Sequence, residues 1–201
     1  MKSVHGGTAS SVPVRSAIWL MKGGQGLLKR YLLTLCLLCV AALAQATDKD
    51  QVETEMENLS EFALQQALEA IAEQGGLYPF AMIRNSDGKN ALIHYKGEPE
   101  QMPPAEEYVK TLYKVVATTV RQSASSQVAV IVRQINAPTE SGDLIPGVWV
   151  LVDHRLAQSP KVIFQPLVAG EQGGQLVPGT PVVQSTTDNL FPRMAKPSAK
   201  K

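Results

Sequence analysis

Cysteine is nearly absent from this sequence. Its only two, Cys36 and Cys39, lie in one apolar run near the N-terminus. With that run removed, the product can form no disulfide, no thiolate metal site and no cysteine nucleophile. Acidic residues are missing from 1–46, which hold Lys2, Arg15, Lys22, Lys29 and Arg30. Those five leave 14 of the 19 basic residues to face 18 acidic ones over 47–201, a net of −4 that the overall +1 conceals. Such a product lacks the basic footprint that nucleic acid or an anionic membrane requires, so neither is expected as a partner. No Gly-x-Ser-x-Gly elbow and no phosphate-binding Gly-x-x-x-x-Gly-Lys-Ser/Thr run occurs. What remains is enough for one domain: 201 residues, 44% of them hydrophobic, can close a packed core.

The N-terminal piece has an order of its own. Lys29-Arg30 lead into the uncharged run Tyr31–Leu43, 13 residues long, and Ala44-Gln45-Ala46 follow before the charged Asp48-Lys49-Asp50. Basic, apolar and small-x-small segments in that order predict a secretory signal with its peptidase site at Ala44 and Ala46. A run of that length spans roughly 20 Å as a helix, short of a ~30 Å hydrocarbon core, so no stable membrane anchor is expected after cleavage. Cys36 follows Leu35 and Cys39 follows Leu38, neither of them the small residue a lipoprotein site needs. Met21-Lys22 open a compact signal, and Met21 is the expected start, with 1–20 an extension. The expected organisation is therefore 1–46 extension and signal, 47–168 a single domain, and 169–201 a Gly/Pro/polar tail. The expected location is the periplasm or the medium.

Within the domain, hydrophobic periodicity switches between helix and strand. Leu59, Phe62, Ala63, Ala67, Ala70 and Ile71 recur at 3–4 spacing, predicting a helix over 51–73 stopped by Gly75-Gly76. Leu77–Ile83 and Ala91–Tyr95 read as strands joined by a turn around Asp87-Gly88. Pro103, Pro104, Glu106 and Glu107 open a second helix with Val109, Leu112, Tyr113, Val116 and Val120 as its stripe. Three more strands are predicted at Gln127–Ile135, Gly147–Val152 and Lys161–Gln165, the last closed by Pro166, with an exposed loop over 136–146. Both faces of the third strand are apolar, and the fourth is apolar throughout, as in a central strand. Past Ala169 the chain is expected to be loose, with Val182-Val183 a candidate short edge strand.

The class that follows is α+β: an antiparallel sheet of about five strands with two helices, in the order α-β-β-α-β-β-β. That order resembles roadblock and profilin-like domains over about residues 55–168. The resemblance rests on element order and would place the fifth strand centrally, where Pro166 fits poorly. It implies a scaffold that holds other proteins, often as a dimer. Tyr78-Pro79-Phe80-Ala81 followed by Asp87-Gly88 also resembles the opening of small exported bacterial proteins of unknown function.

Candidate chemistry is sparse. Beyond residue 46 only His94 and His154 are available, fewer ligands than a zinc site needs, and they read as partly exposed strand residues. In a roadblock-like order two strands separate them, a gap of roughly 14 Å at about 4.8 Å per strand. Asp153-His154-Arg155 sets an acid beside a base, but neighbours on a strand point to opposite faces, so the triplet reads as the polar end of a buried strand. Gly170-Glu-Gln-Gly-Gly174 reads as linker, and Lys196, Lys200 and Lys201 as a tail too small for nucleic acid. Trp149 reads as core; Tyr108 and Tyr113 as half core, half rim. No catalytic, cofactor or metal residues are assigned. The expected function is an exported, non-enzymatic protein-interaction or structural module whose partner is protein, a second copy included. The alternative is a periplasmic small-ligand-binding domain with its pocket near Tyr113 and Trp149. An enzyme using Glu98, Glu107 or Asp153 is the least favoured reading.

Overall fold

The computed structural model describes the backbone of residues 24–139, 141–170 and 176–193, and side-chain surroundings from residue 49 onward. Met21, the leader before it and Lys196, Lys200 and Lys201 lie outside the described residues, as do the side chains of Cys36, Cys39, Ala44 and Ala46. The chain divides into two units, Met1–Thr47 and Asp48–Lys201; the strands, the core and the cleft described below belong to the second.

The predicted helix is the latter part of a longer one, α1 (Gly24–Gln74). From Leu27 to Gln74 there is no glycine or proline to break it, and Leu, Ala, Glu and Gln dominate. It ends at Gly75, whose φ of +74° suits a helix C-terminus and whose N–H donates to Ile71 O at 2.9 Å. The first hairpin joins β1 (Phe80–Asn85) to β2 (Asn90–Ile93). α2 (Ala105–Gln122) begins after Pro104 with Glu106 and Glu107 in its first turn and carries Arg121 in its last, charges that oppose the helix dipole.

The predicted exposed loop over 136–146 is instead strand. β3 (Ser126–Pro138) and β4 (Leu144–His154) pair continuously to Pro138↔Leu144, beyond which Thr139 N–H donates to Asp143 O at 2.8 Å. Two prolines are tolerated there because the hairpin outruns its neighbours. β1 pairs with β3 only as far as Val132, and β5 (Lys161–Ala169) reaches only Gly147 on β4. Beyond them, among the described residues, the two strands form a ribbon with no outer ladder to need the missing N–H groups.

Pro166 does not close the fifth strand. β5 runs through it to Ala169, and two further strands, β6 (Leu176–Pro178) and β7 (Val182–Ser185), come from the segment expected to be loose. Both lie antiparallel along the same edge of β5, β7 on Lys161–Phe164 and β6 on Leu167–Ala169. The two registers differ by one residue, so β6 and β7 are one outer strand interrupted by a bulge. Pro166 faces that interruption, where no ladder donor is required. Gly179 donates its N–H to Pro166 O at 2.9 Å, and Gln165 Nε2 donates to Gly179 O at 2.6 Å.

The sheet order is β2-β1-β3-β4-β5 with the broken strand outermost, antiparallel throughout. The α+β class and the order α-β-β-α-β-β-β expected from the sequence are those observed, followed by two more strands, seven among the described residues rather than about five. β3 lies beside β1, so β3 and β4 hold the centre and β5 lies nearer the edge.

Strand alternation then assigns the faces. Phe80, Met82, Val128, Val130, Val132, Val148, Val150 and Val152 pack against Met56, Leu59, Ala63 and Ala67 of α1. Their neighbours Ala81, Ile83, Ala129, Ile131 and Leu151 pack with Leu112, Val116 and Val120 of α2. The sheet is therefore sandwiched, which is why the central strands are apolar on both faces. Leu190 and Phe191, 2% and 1% exposed, complete the α2-side core, so the compact fold extends well past residue 168.

Candidate functional site

The Asp153-His154-Arg155 triplet sits where β4 ends, and each side chain reaches a different part of the molecule. Asp153 pairs with Ala129 on the α2 face, is 0% exposed, and accepts the N–H groups of Leu190 and Phe191 at 2.8 and 3.0 Å. It also forms an ion pair with Arg193, which donates to His154 O at 3.0 Å. His154 points to the α1 face and lies 3.0 Å from Glu55 Oε2 through Nε2. Its Nδ1 accepts the N–H of Leu156 at 3.0 Å, so the ring proton of the neutral imidazole is on Nε2 and is donated to Glu55. Arg155 donates to Ser126 O, Val120 O and Ser123 O, capping the end of α2. The triplet is thus a structural junction, and His154 is buried rather than partly exposed because Glu55 and α1 cover it.

Beside His154 a cleft of about 450 Å³ opens on the α1 face. Two of its lining residues, Arg84 and His154, stand in one cross-strand row on either side of the buried Val128, with Arg84 opposite Val128 and Val128 opposite His154. One wall is the turn of α1 bearing Gln51, Val52 and Glu55; the other is the β1–β2 turn, Asn85 to Gly88. The chain can place a glycine there because Gly88 has φ +79°, which the tight turn requires. Gln51 Nε2 donates to Glu55 Oε1 at 2.8 Å. Burial raises the Glu55 pKa, but hydrogen bonds from Gln51 and His154, with the charge of Arg84 nearby, bring it below the ordinary 4.5. Arg84 is held through Nε, which donates to Asn90 Oδ1 at 2.8 Å.

Other residues singled out by sequence are dispersed. His94 is exposed just past β2, with β1 and β3 between it and the strand of His154. Among the described residues no three His, Cys, Asp or Glu side chains are grouped to hold a metal ion. Glu98 and Glu107 are exposed, while Asp153 is buried at the C-terminal clasp. Trp149 is half-buried under the Arg133 guanidinium, 4.5 Å from the ring centre. Tyr108 is core and stacks on Tyr78, their centroids 5.1 Å apart. Tyr113 packs on the same side, so the cleft lies across the sheet from the pair Tyr113 and Trp149 expected to line a pocket. Sequence reasoning missed Gln51, Glu55, Arg84 and Gln127 of the cleft. The one signal was Arg84, a charge following the apolar run Phe80–Ile83.

At the far edge of the sheet, the broken outer strand is exposed on both faces. Val182 and Val183 are 57% and 56% exposed, with Val168, Leu176 and Val177 beside them. No charged residue occurs from 176 to 187. Comparison with protein-family models, curated proteins and solved structures finds no match to the chain.

Proposed function

We propose that the chain is an exported, non-enzymatic protein-interaction module whose working surface is the outer strand β7, and that its partner there is a second copy of itself. The observation that carries this is the nature of that edge. Sheet edges are ordinarily blunted by charge or cover, because their free N–H and C=O groups invite another strand. At the opposite edge, β2 is bracketed by Lys89 and Lys96. β7 reads Val-Val-Gln-Ser, uncharged and open on both faces, and pairs with β5 on one side only among the described residues. Antiparallel addition of an identical strand would satisfy its ladder groups and cover the valines.

A non-enzymatic role is favoured by His154, whose two ring nitrogens are both engaged in holding the fold together. Export rests on the Lys29–Ala46 pattern. The test is sedimentation of protein recovered from cells expressing the full sequence, with N-terminal sequencing of the recovered chain. The expected result is a chain beginning at Thr47 that dimerises with rising concentration. Val183→Lys should abolish the dimer without altering the circular dichroism spectrum. A monomer at every concentration would sink the edge reading, and an intact N-terminus would sink export.

A further inference from the structure

The cleft against α1 holds two opposite charges that do not bond each other. Glu55 is engaged with Gln51 and His154, and Arg84 with Asn90. Both line the same space of about 450 Å³, a volume in the range of small-molecule sites. Two side chains of opposite sign that merely stabilised the surface would be expected to close on one another. Here each is held back by its own partner, and between them in the strand register lies Val128, buried beneath the surface of the cleft. The row from Arg84 to His154 spans two strand spacings, roughly 10 Å.

We infer that this cleft binds a small zwitterion, a free amino acid or a dipeptide, with its carboxylate on the Arg84 guanidinium and its ammonium on the Glu55 carboxylate. A simple anion placed against Arg84 would meet the Glu55 charge, and a simple amine against Glu55 would meet Arg84. A ligand carrying both charges satisfies both groups at once. Guanidinium is the better carboxylate ligand of the two cationic side chains, because its planar fork can donate two parallel hydrogen bonds. Val52 and the 70%-exposed Leu156 supply apolar surface at the rim for a side chain. Ser86 and Gln127 add neutral hydrogen-bonding groups around it. The site lies on the α1 face and does not depend on the β7 edge.

The test is titration calorimetry on the full-length chain with each common amino acid and with leucyl-leucine. 4-Methylpentanoate and isoamylamine, which are leucine without its ammonium and without its carboxylate, serve as half-ligands. Saturable binding of at least one zwitterion is expected, with each matching half-ligand weaker by about tenfold or more. Arg84→Gln should weaken it by a similar factor, whereas Arg84→Lys should recover part of the loss. In the unsubstituted chain the His154 ring resonances, which report on the neighbouring Glu55, should move on saturation, a readout that does not depend on any variant folding. No saturable heat with any zwitterion overturns the inference. So does a half-ligand that binds as well as the whole, or a folded Arg84→Gln chain with undiminished affinity.

Discussion

Asp153 and Arg193 form an ion pair that ties the last described segment of the chain to the end of β4. The carboxylate is buried and also accepts the N–H groups of Leu190 and Phe191, while Arg193 remains 23% exposed. The clasp therefore sets Phe191 into the α2-side core. Asp153→Ala would strand two buried N–H donors and remove the partner of a half-covered guanidinium. We expect a loss of about 3 kcal/mol, read as a lower urea midpoint at unchanged slope. Phe191→Ala should cost a similar amount through its cavity, and the double variant should cost less than the sum, because the two act through one docked segment. A drop under about 1 kcal/mol for Asp153→Ala would show that the segment docks without the clasp.

The Glu55–His154 contact makes stability depend on acid in a defined direction. The folded Glu55 pKa lies below 4.5, so between those two values the unfolded chain binds more protons than the folded one. Its contribution is fully present above 4.5 and is lost as pH falls through the folded value. The stability gap between wild type and Glu55→Gln should stay level down to about pH 5 and then close with further acidification. Denaturant titrations at a series of pH values measure it. A gap that widens as pH falls would contradict the assignment.

How far the sequence discloses this fold depends on how local each feature is. Ala129 and Ile131 alternating with Val128 and Val130 announce a strand covered on both sides, and the helices on the two faces are that cover. The rule that strand neighbours point apart separates Asp153 from His154, and the structure sends them to opposite cores. Leu190 and Phe191 were illegible because they stand alone between Asn189 and Pro192, with no periodic partner, and are buried only by a clasp 37 residues upstream. Pro138 and Pro146 argued for a loop, since nothing local reveals that the ribbon around them has no outer neighbour. The cleft was hidden for the same reason. Gln51, Arg84 and Gln127 come from three elements, brought together by the β1–β3 register and by α1 packing on that face of the sheet.

Gly147 and Gly88 should respond to alanine for different reasons. A Cβ at Gly147 would collide with the Phe164 ring and lie 2.7 Å from Gln165 O, a backbone atom held in the β4–β5 ladder. Gly147→Ala should therefore cost about 1–3 kcal/mol by overpacking. Gly88 has open space around it but φ +79°, so Gly88→Ala should cost only about 1 kcal/mol of backbone strain. Equilibrium unfolding of the two variants ranks them, and a loss at Gly147 no larger than that at Gly88 would show that the strand yields around the added methyl group.

Tyr113 offers a probe at the alkaline end. Burial, with the charge of Asp188 behind it, pushes its hydroxyl up from 10.0 to about 12, against an opposing pull from Arg133. In the unfolded chain it ionises near its ordinary value, so above about pH 10 the folded state holds a proton that the unfolded state has released. Stability should consequently fall as pH rises from about 10 toward 12, and Tyr113→Phe should remove its share of that fall. Asp188→Asn, by taking away a neighbouring negative charge, should bring the ionisation to lower pH in an ultraviolet titration of the folded protein. Parallel alkaline unfolding curves for wild type and Tyr113→Phe would mean that this hydroxyl titrates as freely in the fold as in the open chain.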